Sequence, residues 1–246
     1  MTVAWLCAVV VAQLDTTPLH AFRVEEPRIR FDAMGSVRLV MAEAAPRPEF
    51  ARRMSAPADK GHAFVVRWPI PPATDEPLPV HTASTFVIDW REPPVVALVE
   101  QVIHAHGKSP PVEALAAAVD EHVSNKNGTR IYDVASVVAR RREGDCTEHA
   151  VLLVAVARAF GRPARVVNGL AVVEMGDGGV GAFGHAWAEV LVDRAWRPVD
   201  AALRKHPGKV AYVAMSVMEN EGPGFKAAAM AAASPLDVRT VKALPK

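Results

Sequence analysis

The sequence predicts an α+β fold: a run of helices leading into an antiparallel sheet, with a small β-rich region ahead of both. Three observations predict it. Residues 146–160 carry an apolar helix with start and stop signals, residues 181–200 carry two strand patterns joined by a tight turn, and short alternating runs punctuated by prolines precede residue 93. The chain has 246 residues and half of them are hydrophobic, which suffices for a large core in one or two domains. Net charge is +1 with the basic residues scattered, so there is no footprint for nucleic acid.

Residues 1–15 hold an apolar segment, Val3 to Ala12, too short to span a bilayer. Val10, Val11 and Ala12 make an acceptable cleavage site, but no lysine or arginine precedes the run. An incomplete signal peptide and a first strand are both open readings, and export (periplasmic or secreted) is favoured over a cytoplasmic location. Cys7 lies in this segment and the only other cysteine is Cys146, so no disulfide framework is implied.

Residues 16–92 read as the β-rich region, with prolines clustered in WPIPPATDEPLP and strand-like runs in RIRF, VRLVM, AFVVRW and STFVIDW. It is expected to cover one side of a cleft or simply to stabilise the body. Residues 93–225 form the main domain. Pro93 to His106 and Pro110 to Val123 each begin with proline and carry apolar residues at helical spacing; Tyr132 to Arg142 is a third helix, after a turn at Asn125 to Gly128.

The next helix begins at Cys146. Asp145 is its N-cap, Glu148 completes a capping box, and Gly161 with Pro163 ends it. Its apolar residues lie on nearly every face, so it runs through a core. Unpaired N–H groups and the helix dipole at that terminus favour the thiolate of Cys146, the nucleophilic form, which is expected to ionise below the usual thiol range. A cysteine packed as a small hydrophobe is the plain alternative. Arg140, Arg141 and Arg142 read as a solvated helix end that could also raise the local potential.

A nucleophilic cysteine needs a base and a group to orient it. Gly181 to Val192 and Trp196 to Asp200 are strands, and a two-residue turn at Asp193 and Arg194 puts Val192 opposite Ala195. Trp187 then faces Asp200, and His185 is its diagonal neighbour on the same face, within reach of the carboxylate. A three-residue turn without a bulge would separate the two onto opposite faces. Trp187 either walls the site over His185 or packs as core. A further strand follows near Val210 to Met218, then a Gly and Pro turn at Glu221 to Gly224. Residues 226–246 read as a tail, in which AAAMAAA could form a short helix.

The blocks GDCTEHA, GHAWAEV and RPVDAAL bring Cys, His and Asp in that order, 39 and then 15 residues apart. Together they resemble the transglutaminase-like superfamily, over roughly Pro93 to Leu203. The resemblance implies a papain-like core, with the cysteine helix packed on an antiparallel sheet. By residue match it implies Cys146 as nucleophile, His185 as general base and acid, and Asp200 as the group orienting the imidazole.

The chemistry implied is acyl transfer on amide bonds of a protein or peptide through a thioester. Hydrolysis and transfer to an amine, the glutamine cross-linking or deamidation reaction, are the alternatives. Animal transglutaminases are similar in using an upstream tryptophan at the oxyanion, and none lies between Trp90 and Cys146 here, which favours hydrolysis, as in a cysteine protease or an amidase of cell-wall peptides or glycoproteins. A non-catalytic binding module on the same fold is the rival from another class. No cofactor is implied. His149 shares a helical face with Cys146, and a zinc site of Cys146, His149, His185 and Asp200 is conceivable, but no CxxC or HExxH spacing supports it; a structural role is expected for His149. Oligomeric state is not legible.

Overall fold

In the computed structural model, residues 24–25, 28–41, 57–59, 63–126, 132–233 and 238–246 are described. The apolar N-terminal segment, with its Cys7 and both readings of residues 1–15, lies outside them, as do Asn127 and Gly128 of the turn expected at Asn125 to Gly128.

Four helices precede the main sheet: α1 (Pro93–His106), α2 (Val112–His122), α3 (Ala135–Arg141) and α4 (Cys146–Ala159). Helix α1 starts on two prolines, whose missing N–H groups cost nothing in a first turn. Helix α3 begins three residues later than expected, because Tyr132 takes a positive φ of 50° and only from Ala135 does the backbone turn helical. Helix α4 is buried on nearly every side, from Ala150 through Ala157, as its all-round apolar sequence requires.

A four-stranded antiparallel sheet follows, in the order β7-β6-β5-β8, from β5 (Ala164–Glu174), β6 (Val180–Val192), β7 (Ala195–Val199) and β8 (Val210–Val217). The β6–β7 turn holds two residues, Asp193 and Arg194, both at positive φ, the conformation of a type I′ hairpin. The register is the one expected, Val192 opposite Ala195 through Ala188 opposite Val199.

One face of this sheet carries two cores along its length. Ala164, Val166, Ala186, Ala188 and Val190 pack with α1 to α4 in the main core. Further along the same face, Leu170, Val172, Val180 and Ala182 leave the helices and form a second core with the N-terminal strands.

Those strands are β1 (Val24–Glu25), β2 (Met34–Met41), β3 (Pro57–Asp59) and β4 (Ala63–Arg67), in a five-stranded sheet of order β1-β9-β2-β4-β3. One of its central strands, β9 (Val238–Pro245), comes from the stretch expected to be a tail, and helix α5 (Phe225–Ala233) precedes it. The tail reading is corrected: β9 pairs antiparallel with β2 and parallel with β1, burying Val241 and Ala243 completely.

Two expected strands are absent. RIRF becomes a bend and a 3-10 turn at Phe31–Ala33. STFVIDW has no strand partner: Val87 donates to the Glu221 carbonyl and accepts from the Ala135 N–H, so single bonds to loops replace a ladder, and Val87 and Ile88 are buried beneath the helices. The proline-rich stretch is held at the sheet edge instead. Ala73 bridges to Trp196, and Arg165 pairs with both Asp75 and Glu189 while its guanidinium lies 4.0 Å over the Trp196 ring.

Candidate active site

The N-terminus of α4 is built by its cap. Asp145 accepts from the Thr147 N–H at 2.8 Å, and its own N–H donates to Glu148 at 3.0 Å, closing the expected capping box. Glu148 folds back so far that a Cβ on Gly144 would stand 2.2 Å from its own, so the first residue of the GDC block must be glycine. Burial and the neighbouring Asp145 push the Glu148 carboxyl up to about 8.

Cys146 is the first residue of α4 and only 7% exposed. Its thiol interacts with the His185 side chain and with the Ala186 N–H. The hairpin explains the second contact. Val192 and Ala195 close a two-residue turn, so Val190, Ala188 and Ala186 aim their main-chain groups at β7. Since β7 ends at Val199, opposite Ala188, the Ala186 N–H is left over for the sulfur.

His185 is 4% exposed, and its Nε2 lies 2.7 Å from Asp200 Oδ2. Nδ1 has no hydrogen-bond partner, and the ring is coupled electrostatically to the thiol, so that nitrogen is the one free to exchange a proton with Cys146. Asp200, just past β7, is saturated: Oδ1 accepts from the N–H groups of Ala202 and Leu203 at 2.8 and 3.1 Å, and Oδ2 also accepts from the Tyr212 hydroxyl at 2.9 Å. Cys146, His185 and Asp200, predicted from three separate segments, are therefore brought together.

The electrostatics follow from burial and pairing. Burial raises the Asp200 carboxyl, but His185 and the four hydrogen bonds hold it below the usual carboxylate value. Burial alone would lower His185; the charge and hydrogen bond of Asp200, helped by Cys146, carry it up to about 10. Burial pushes the Cys146 thiol up, and His185 and the Ala186 N–H only partly pull it back. That direction is opposite to the one expected from the helix terminus, and its first cause is the removal of the sulfur from water.

The other singled-out residues sort themselves. His149 is buried and turns Nδ1 to the Asp145 carbonyl at 2.6 Å, with burial lowering its pKa; it braces the cap. Among the described residues no cluster of three His, Cys, Asp or Glu side chains could hold a metal ion. Trp187 does both things asked of it, being 1% exposed and stacked on His185 at 6.2 Å between ring centroids. Of the three arginines, all exposed, Arg141 pairs with Asp133 and Arg142 bonds the His122 carbonyl.

Sequence reasoning missed Tyr212, Tyr132 and Asn168. Tyr212 packs against Trp187, ring centroids 5.0 Å apart and tilted by 44°, besides holding Asp200. Tyr132 is 2% exposed; its N–H donates to Thr147 Oγ1 at 3.3 Å and its hydroxyl to Asn168 Oδ1. No sequence spacing marks these residues, although a tyrosine in an alternating strand and an asparagine within an otherwise apolar strand are the signals that were there.

Residues 97–201 match the family model of the transglutaminase-like superfamily. No curated protein matches the chain. Eleven chains of solved structures do. They include a protein provisionally assigned as a cysteine protease from Cytophaga hutchinsonii, 17% identical, with 87% of this chain and 82% of that one covered at a TM-score of 0.41. The periplasmic domain of TgpA from Pseudomonas aeruginosa is 16% identical, with 80% and 92% covered at a TM-score of 0.36; bound to ethylmercury, the same domain is 16% identical with 80% and 94% covered at 0.35.

Proposed function

Because the stretch 97–201 belongs to the transglutaminase-like superfamily, we propose that this protein hydrolyses amide bonds of a peptide or protein through a thioester on Cys146. The observation that carries this reading is the 2.7 Å contact between His185 Nε2 and Asp200, with the opposite ring nitrogen left for a thiol fixed at a capped helix start. The thiolate of Cys146 attacks the carbonyl carbon, and a C–S bond forms as the π pair moves to oxygen. Collapse breaks the C–N bond while the His185 imidazolium gives its proton to the leaving amine. Water then attacks the thioester, its proton passes to His185, and the carboxylic acid leaves as the thiol is restored.

Asp200 supports the proton donor in this scheme by keeping the imidazole protonated up to about pH 10. The thiol is the group that must lose its proton, and burial makes that harder. Activity therefore rises with pH as the thiolate forms and falls again as His185 deprotonates near 10, an alkaline bell. Peptide libraries with fluorescent quenchers, assayed with and without a dansylated amine, test the reading. Cleavage that vanishes in Cys146→Ala supports hydrolysis; amine incorporation in place of cleavage makes the protein a cross-linking acyltransferase; neither, in a folded protein, leaves the binding module. Among the described residues no helix is long and apolar enough to cross a membrane.

A further inference from the structure

The reaction puts negative charge on the carbonyl oxygen, and a donor must meet it. The Cys146 N–H, at the first helical position, belongs to the amides a helix leaves without an internal partner. A second donor is needed, and no tryptophan lies between Trp90 and Cys146 to supply it.

Among the described residues, the buried side-chain nitrogens outside the histidines that lack a partner are Trp90 Nε1, Trp187 Nε1 and Asn168 Nδ2. The Trp187 ring stands on the sheet face opposite the one that packs on α4, against Gly169 and Tyr212. Trp90 sits before α1, half-buried against the helix core with Arg91 over its ring, and no hydrogen bond ties its side chain to the first turn of α4. Asn168 is different on each count. It is 4% exposed and pairs directly across β5 and β6 with Ala186, the residue whose N–H reaches the sulfur. It lies on the sheet face that α4 covers. It also holds the hydroxyl of Tyr132, whose own N–H is bound to Thr147, the residue after the cysteine. Tyr132 feels the Cys146 charge, and it is held at a positive φ that non-glycine residues adopt at a cost.

We propose that the Tyr132–Asn168 pair is the side-chain half of the oxyanion hole, with Asn168 Nδ2 donating to the developing oxyanion and Tyr132 orienting it. This rests on the thioester reading above. Hydrogen counting supports it in either orientation of the amide. With Oδ1 on the hydroxyl, Nδ2–H is spare; with the amide turned, Nδ2 donates to the hydroxyl and the tyrosine O–H is spare. The pair owns three donors and uses one between its members, and it links the strand position opposite Ala186 to the first turn of α4 through the Tyr132 N–H on Thr147. Burying such a donor unused is unfavourable, and a substrate oxygen satisfies it.

Two probes of the full chain separate oxyanion stabilisation from thiol reactivity. Acylation by p-nitrophenyl acetate builds a tetrahedral oxyanion and expels p-nitrophenolate. Alkylation by iodoacetamide displaces iodide at a saturated carbon and builds none. Asn168→Ala is expected to slow acylation of Cys146 about 100-fold, and Tyr132→Phe about 10-fold, while iodoacetamide modifies Cys146 at the wild-type rate in both. Unchanged acylation overturns the inference. So does an equal loss of acylation and alkylation, which would make the pair structural support for the cysteine; Tyr132→Phe, which removes a single oxygen, answers if Asn168→Ala does not fold. A wild-type protein whose Cys146 alkylates but never acylates instead removes the thioester reading, and the oxyanion hole with it.

Discussion

At the residue scale, the decisive feature is a sulfur nearly withdrawn from water and held between an imidazolium and one backbone N–H. Helix-terminus chemistry read from sequence pointed to an acidic thiol, and it omitted desolvation because burial of a first-turn residue depends on what the sheet brings over it. The consequence is measurable. Iodoacetamide labelling of Cys146 as a function of pH is expected to inflect above the ordinary thiol value of about 8.5. Because His185 lowers the thiol from where burial alone would put it, His185→Ala moves that inflection further up. An inflection that falls in the variant would mean that the imidazole does not stabilise the thiolate.

At the element scale, the hairpin and the cysteine helix were legible because their signals are local. A capping box spans four residues, and a two-residue turn fixes the register, which places His185 and Asp200 within reach of each other from sequence alone. Tyr212, Tyr132 and Asn168 were not legible: each meets the site across a strand pairing or a side-chain bond to a distant segment. The cap carries its own pH signature. Glu148 is raised from 4.5 to about 8, so the stability tied to its protonated form is complete below pH 4.5 and is lost as pH rises through 8. Glu148→Gln keeps an acceptor for the Asp145 N–H and removes the charge. Urea denaturation at pH 5, 7 and 9 is expected to show the variant gaining on the wild type as pH rises; a constant difference would place the carboxyl in water. On β5, Gly169 lets Trp187 lie flat: an added Cβ would stand 2.0 Å from the Val213 carbonyl oxygen and 2.9 Å from the indole. Gly169→Ala is expected to cost about 2 kcal/mol or more and to weaken near-ultraviolet circular dichroism from Trp187; a spectrum and midpoint like the wild type would show that β8 yields freely.

At the scale of the whole molecule, the sheet bearing His185 is shared between two cores. One end of its inner face packs on the helices, and the other packs on a sheet assembled from residues 24–67 and β9, near the two ends of the described chain. Sequence alone divided the chain into an N-terminal region, a main domain and a tail, since strand patterns announce themselves singly while their partners do not. The second core joins what that division separates: Val37, Leu39, Val241 and Ala243 pack with Leu170, Val172, Ala182 and Val213. Leu170 is two residues from Asn168 on one strand, and Ala182 is three from His185 on its neighbour. An arrangement of this kind unfolds as one cooperative unit, because losing the N-terminal sheet strips apolar cover from the strands that carry the site. Val241→Asp puts a carboxylate where the wild type is completely buried, and it is expected to cost about 3 kcal/mol or more. Calorimetry of wild type and variant is expected to show a single transition that moves down as a whole, with iodoacetamide labelling of Cys146 lost at the same temperature. Two resolved transitions, with only the first displaced and the site surviving it, would instead make the N-terminal sheet and β9 an independent domain.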